Sequence, residues 1–140
     1  MGSIRKRSRR VILLDTQVVL WLLLAPEKLS NNAREAILRA RVAGERIGCS
    51  PVSLYEIANA ARRRRLHLHT TTEEFTAAIA ARIELIPLTA GIAICAGELP
   101  EPFHGDPMDR LIAATAIVEK CTLITADSRI RAANACKALW

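Results

Sequence analysis

The 140-residue chain holds ten glutamates but only four aspartates, Asp15, Asp106, Asp109 and Asp127, and each aspartate stands beside an apolar run. Asp15 closes the segment V-I-L-L-D and Asp127 closes L-I-T-A-D, so each reads as a carboxylate delivered by a short buried strand. Asp106 and Asp109 bracket the first turn of the apolar stretch D-P-M-D-R-L-I-A-A-T-A, and Glu56 closes S-L-Y-E. Three or four carboxylates meeting at one place repel each other, and a bound divalent cation relieves that repulsion. A donor set of Asp and Glu favours Mg²⁺ or Mn²⁺. Such a cation activates water and offsets the charge that develops on a phosphodiester during in-line displacement. In outline this is nuclease chemistry.

Each acid also has a purely local reading. Asp15 or Thr16 could cap the helix that follows the first strand, and Ser53 with Glu56 could form a capping box. Asp106 before Pro107 suits a helix N-cap, Asp109 could complement the helix dipole, and Asp127 could cap or turn. Capping accounts best for Asp106, whereas two acids at one helix start exceed what capping needs.

The elements that must position these residues follow from periodicity and breakers. Strands are expected at residues 11–14, 46–49, 83–87 and 122–125, with a final edge strand at 137–140. Helices are expected at 17–24, 31–43 (capped by Ser30, stopped at Gly44), 52–65, 72–81 (capped by Thr72), 89–97 and 108–119, with a short one after Asp127. Ala33, Ala36, Ile37 and Ala40 should line one face of the second helix, and Phe75, Ala78 and Ile79 the inner face of the fourth. Strand–helix alternation with short, wholly apolar strands predicts an α/β fold with a mainly parallel sheet flanked on both faces by helices. Ligands of such sheets bind beyond the carboxyl ends of the strands, where strand order reverses. The start of the helix at 108–119 reaches that rim only if the loop before it crosses over.

Several classes are excluded. At 51% hydrophobic and 24% charged residues the chain is a single globular domain and not a disordered one. The basic run before V-I-L-L-D-T-Q-V-V-L-W-L-L-L-A imitates an export signal, but Asp15 and Gln17 interrupt the apolar stretch, which is too short to span a bilayer, so a cytoplasmic, non-membrane protein is expected. No P-loop or Gly-rich dinucleotide turn is present. Cys49, Cys95, Cys121 and Cys136 lack metal-ligand spacing and read as small hydrophobes. His67, His69 and His104 lack it too and read as surface residues.

The segments L-L-D-T-Q-V-V-L-W, S-L-Y-E-I, G-D-P-M-D-R-L-I-A-A-T-A and L-I-T-A-D, in that order, resemble the PIN-domain ribonucleases, specifically the VapC-like toxins of type II toxin–antitoxin operons. The similarity spans residues 11–140, and D-P-M-D-R-L-I-A-A is its most specific part. It implies a PIN-like three-layer fold and an Mg²⁺- or Mn²⁺-dependent endoribonuclease whose metal-binding, catalytic acids are Asp15, Glu56, Asp109 and Asp127, and it turns Glu56 toward the site. Thr125 matches the hydroxyl residue beside the last acid and Thr16 the one after the first; Asp106 matches a position often acidic in this subgroup. Two departures stand out: residues 1–10 precede the first strand, and Ser128-Arg129 stand where some relatives carry a further acid. The resemblance also implies a cognate antitoxin, an RNA substrate, and a homodimer or toxin–antitoxin hetero-oligomer. The alternative from another class is a catalytically silent PIN-like module that binds RNA or protein.

Of the net charge of +6, Arg5, Lys6, Arg7, Arg9 and Arg10 supply most, so residues 1–10 form a basic arm suited to polyanions while 11–140 are nearly neutral. Arg110 could brace its helix or touch a substrate phosphate, and residues 62–65 could be a solvated helix end or a phosphate contact. The segment 18–24 is apolar all round, more than one buried face requires. Val18, Trp21 and Leu22, with Ile37 of the next helix, are expected to form a groove for an antitoxin helix.

Overall fold

The computed structural model describes residues 10–140; the basic arm therefore lies, apart from Arg10, outside the described residues. Five strands, β1 (Val11–Leu14), β2 (Arg46–Cys49), β3 (Glu84–Leu85), β4 (Thr122–Ile124) and β5 (Ala138–Leu139), form one sheet in the order β3-β2-β1-β4-β5. Every pairing is parallel. The helices are α1 (Thr16–Leu24), α2 (Asn31–Val42), α3 (Pro51–Arg62), α4 (Thr72–Arg82), α5 (Ala90–Glu98), α6 (Pro107–Val118) and α7 (Ser128–Ala133).

The run V-I-L-L is uninterrupted because β1 is the central strand and is covered on both faces. Ile12 and Leu14 face a core shared with α1, α2, α3 and α4, whereas Val11 and Leu13 face one built with α6 and α7. Successive strand residues point to opposite faces, so a doubly covered strand has no polar positions to spare. The small residues of α6 serve the same end. Ile112, Ala113 and Ala116 pack toward the sheet, while Ala114 on the other side meets Ile92 and Ala96 of α5. Gly48 in β2 has a comparable cause: a Cβ there would stand 2.8 Å from Cγ1 of Ile86, beside the neighbouring strand.

Strand order reverses between β1 and β4. The two strands are stitched at that point by Asp15, whose N–H donates to Ile124 O at 3.0 Å. The required crossover exists as well. Arg110 in the first turn of α6 reaches Ala96 O at the end of α5, so the two helices run antiparallel and the loop at 99–106 returns the chain to the carboxyl rim.

The structure revises several expectations. The cap of α4 is Thr71, whose hydroxyl accepts from Glu74 N–H, not Thr72, and Ala78 is exposed. Helix α3 stops at Arg62 because Arg64 takes a positive φ of 58°, so residues 62–65 are an exposed helix end and not a full turn. Strand β3 has only two residues. In agreement with expectation, Cys49 and Cys121 are buried free thiols, pushed up to about 11 by burial, and His67 and His69 are exposed. Among the described residues no helix is long and apolar enough to cross a membrane.

The residues expected to line a partner groove are placed differently. Val18 is 0% and Ile37 3% exposed, so both are mainly core residues. Trp21 spends its ring on Trp140, 5.5 Å between centroids, which makes it a poor probe of binding alone. A cavity of about 200 Å³ between α1 and α2 is lined by Leu22, Leu29, Ile37 and Leu38, with Arg34 and Arg41 at its edge. Leu38 is 60% exposed there.

Candidate active site

Asp15 ends β1 and starts α1, so its carboxylate sits at the switch point of the sheet. It is 8% exposed. One oxygen accepts from Thr16 N–H at 2.9 Å, and the other from the Thr125 hydroxyl at 2.6 Å. Thr125, fully buried, follows β4 directly, so the two strands that diverge here are joined by a side-chain bond as well as a backbone one. Burial raises the proton affinity of Asp15; the two hydrogen bonds oppose that, and Asp127 and Asp106 add to it. Capping and membership of the cluster are thus both true of this residue.

Glu56 projects from α3 toward the same point. The Thr16 hydroxyl donates to it at 2.6 Å and lies 2.8 Å from the Ser53 hydroxyl. Because a hydroxyl has one proton and Thr16 donates its own to Glu56, Ser53 donates to Thr16, a relay across residues 40 apart in sequence. The capping-box alternative is ruled out: the cap of α3 is Ser50, and Ser53 N–H donates to Ser50 O. Glu56 is also held above its usual range, first by burial and then by Asp15 and Asp106, against the Thr16 bond.

Asp109 and Asp106 divide the labour at the start of α6. Asp106 is the cap, accepting from Met108 N–H at 2.9 Å and Asp109 N–H at 3.2 Å, and it is exposed. Asp109, one turn in, has a side chain only 16% exposed and is pushed up to about 7, first by burial and then by Asp106, Asp15, Asp127 and Glu56. Four other carboxylates act on this one group. Asp127 differs in sign: Arg129 donates to it from its side chain at 3.0 Å and its backbone at 2.8 Å, which lowers its proton affinity. The same guanidinium is 3.9 Å from Asp109, but it is solvent-exposed and too well screened to bring that group down.

Two contributors escaped the sequence reading. His104 is not a surface residue: its Nε2 is buried, without a hydrogen-bond partner, and 3.4 Å from an Asp109 oxygen. Donor atoms of His104, Asp109 and Asp127 lie within 4.8 Å of one another, a spacing that could hold one metal ion. Arg129 occupies the ground where a further acid was noted as missing, and neutralises Asp127 instead. Arg110, by contrast, settles on bracing: its guanidinium donates to Ala96 O at 2.9 Å, Leu99 O at 2.7 Å and His104 O at 3.2 Å. It fastens the loop at 99–106 to α6.

The donor chemistry fits a hard divalent cation. Oxygen ligands dominate, three carboxylates are held above their ordinary range by burial and mutual repulsion, and a positive charge at their centre would remove that penalty. The family described as PIN domain matches residues 12–135, a span that contains all four acids. The chain belongs to the PIN-domain family. This PIN domain is 34% identical over 120 residues to Ribonuclease VapC22 of Mycobacterium tuberculosis, covering 86% of this chain and 89% of that protein. Its fold is shared with a chain of VapBC2 from Rickettsia felis, solved bound to a promoter DNA fragment, at TM-score 0.71 and 17% identity over 92% of this chain and 97% of that one. A toxin–antitoxin complex from Klebsiella pneumoniae matches at TM-score 0.63 and 18% identity, over 92% and 96% of the respective chains.

Proposed function

We propose that this PIN domain is the ribonuclease toxin of a toxin–antitoxin pair, cutting RNA internally with Mg²⁺ or Mn²⁺ and silenced by its cognate antitoxin. The observation that carries the reading is the gathering of Asp15, Glu56, Asp109 and Asp127, from four separate segments, on one rim of the sheet with Asp109 pushed up to about 7. The relative at 34% identity is named a ribonuclease, which supports RNA as substrate.

In this reading the four acids hold the cation, which when bound would supply the charge that steadies the phosphodiester and activates water. Thr125 and Thr16 fix the orientation of Asp15 and Glu56 through hydrogen bonds of 2.6 Å each. Asp106 caps the helix that carries Asp109, and Arg110 clamps the loop in front of it. The domain proper is residues 11–140, working in the cytoplasm as a homodimer or in a hetero-oligomer with antitoxin; the basic arm at 1–10 adds affinity for the RNA backbone.

The test is cleavage of RNA by the purified full chain. Cutting is expected with Mg²⁺ or Mn²⁺, abolished by EDTA and lost in Asp15→Asn. RNA that is bound but uncut in every divalent metal would point to a silent binding module instead. Expression should arrest growth, and co-expression of the neighbouring short reading frame should relieve it.

The apolar cavity between α1 and α2 is the surface proposed for the antitoxin, its basic edge (Arg34, Arg41) suiting an acidic amphipathic helix. Leu38→Glu, at a position 60% exposed, should leave the melting temperature unchanged and weaken antitoxin binding by about 100-fold, the scale of one interface hot spot. Unchanged affinity in a calorimetric titration would move the partner to another face.

A further inference from the structure

Among the described residues, His104 Nε2 is the buried side-chain polar atom left without a hydrogen-bond partner, and it lies in the rim. Its ring stacks on Phe103 at 5.0 Å between centroids, and the backbone beside it accepts from Arg110, so the imidazole is held from two sides. Nδ1 accepts from Asp106 N–H at 3.3 Å, which places the ring proton on Nε2. That N–H is buried without a partner and faces Asp109 Oδ2 at 3.4 Å. A buried donor left unpaired is costly, so its orientation toward a single carboxylate oxygen calls for a role.

We propose that His104 is a positioning residue for Asp109: its Nε2–H takes one carboxylate oxygen as hydrogen-bond partner and leaves the other free to face the cation. The alternative, direct ligation through Nε2, would require the proton to move to Nδ1, where it would collide with the Asp106 N–H. A ring whose far nitrogen accepts from backbone is set up to donate, whereas metal-ligating histidines donate from the far nitrogen. The inference rests on the proposed metal site and deepens it.

The test is Mn²⁺ binding to the full chain without RNA, read by electron paramagnetic resonance of free Mn²⁺. His104→Ala is expected to weaken binding by about 10-fold or more, the usual cost of losing a group that orients a ligand. His104→Gln keeps an N–H donor at similar reach and should recover most of the loss. Pulsed spectra of bound Mn²⁺ should lack the strong nitrogen coupling of a coordinated imidazole. Unchanged affinity in His104→Ala, a Gln variant as weak as Ala, or a coordinated nitrogen in the wild type would each overturn the proposal while leaving the metal site standing. A wild-type chain that binds no Mn²⁺ would overturn both.

Discussion

Asp109→Asn is expected to abolish RNA cleavage, by about 1,000-fold or more, while making the metal-free protein more stable at pH 8. The first effect follows from the charge an amide lacks: a metal's contribution to phosphoryl chemistry is several kcal/mol, and each 1.4 kcal/mol is tenfold in rate. The second follows from the energetics of the apo site. Asp109 is held at about 7 in the fold against an ordinary value of 3.8, so the folded state binds its proton more tightly than the unfolded chain does. Stability is therefore intact below pH 4, falls as pH rises toward 7, and stays low above it. The side chain is part-exposed and the solvent screens it, so the asparagine is worth about 2 kcal/mol at pH 8 in place of the larger value the bare shift implies. For a domain of this size that is a rise of several degrees in melting temperature. A variant that is inactive and less stable at pH 8 would mean that Asp109 is a structural residue whose carboxylate the fold needs.

Mn²⁺ affinity should climb steeply with pH and then level off near 7. Proton and cation compete for Asp109, so below about 7 each unit of acidity weakens binding by up to tenfold. Between pH 7.5 and 5.5 the apparent dissociation constant should rise about 30-fold in a titration at constant ionic strength. Asp127 adds nothing in this window, because Arg129 holds it below its usual range and it is ionised throughout. Asp15 and Glu56 are raised by burial and opposed by hydrogen bonds from Thr125 and Thr16. Asp109→Asn should flatten the profile across the same range. A wild-type curve already flat from 5.5 to 7.5 would show that the metal does not depend on Asp109.

Both predictions concern a site that brings like charges together at a cost in stability. Arg129 offsets part of that cost for Asp127, and the relay from Ser53 through Thr16 keeps Glu56 oriented. Asp109 is pushed up to about 7 by burial first and then by four neighbouring carboxylates, with His104 Nε2 facing one of its oxygens at 3.4 Å.

What the sequence determined by itself was local or periodic. The apolar run at 11–14 announces a doubly covered strand, and Ser30, Thr89, Asp106 and Asp127 announce helix starts, because a cap bonds an N–H two or three residues away. The parallel sheet follows from strand–helix alternation, and with it the rim on which Asp15 and Asp127 sit; the position of the switch point came from the strand order of the folded sheet. The tertiary structure decided everything that depends on a partner far along the chain. Whether Glu56 bonds Ser53 or Thr16, whether Trp21 is free or stacked on Trp140, and whether His104 faces water or Asp109 turn on packing between elements. His104 was hidden because the loop at 99–106, clamped by Arg110, sets its direction, and loop geometry has no period to read. The residue types of the site are written in the chain; their proton affinities are not, since burial and neighbouring charge exist only once the rim is assembled.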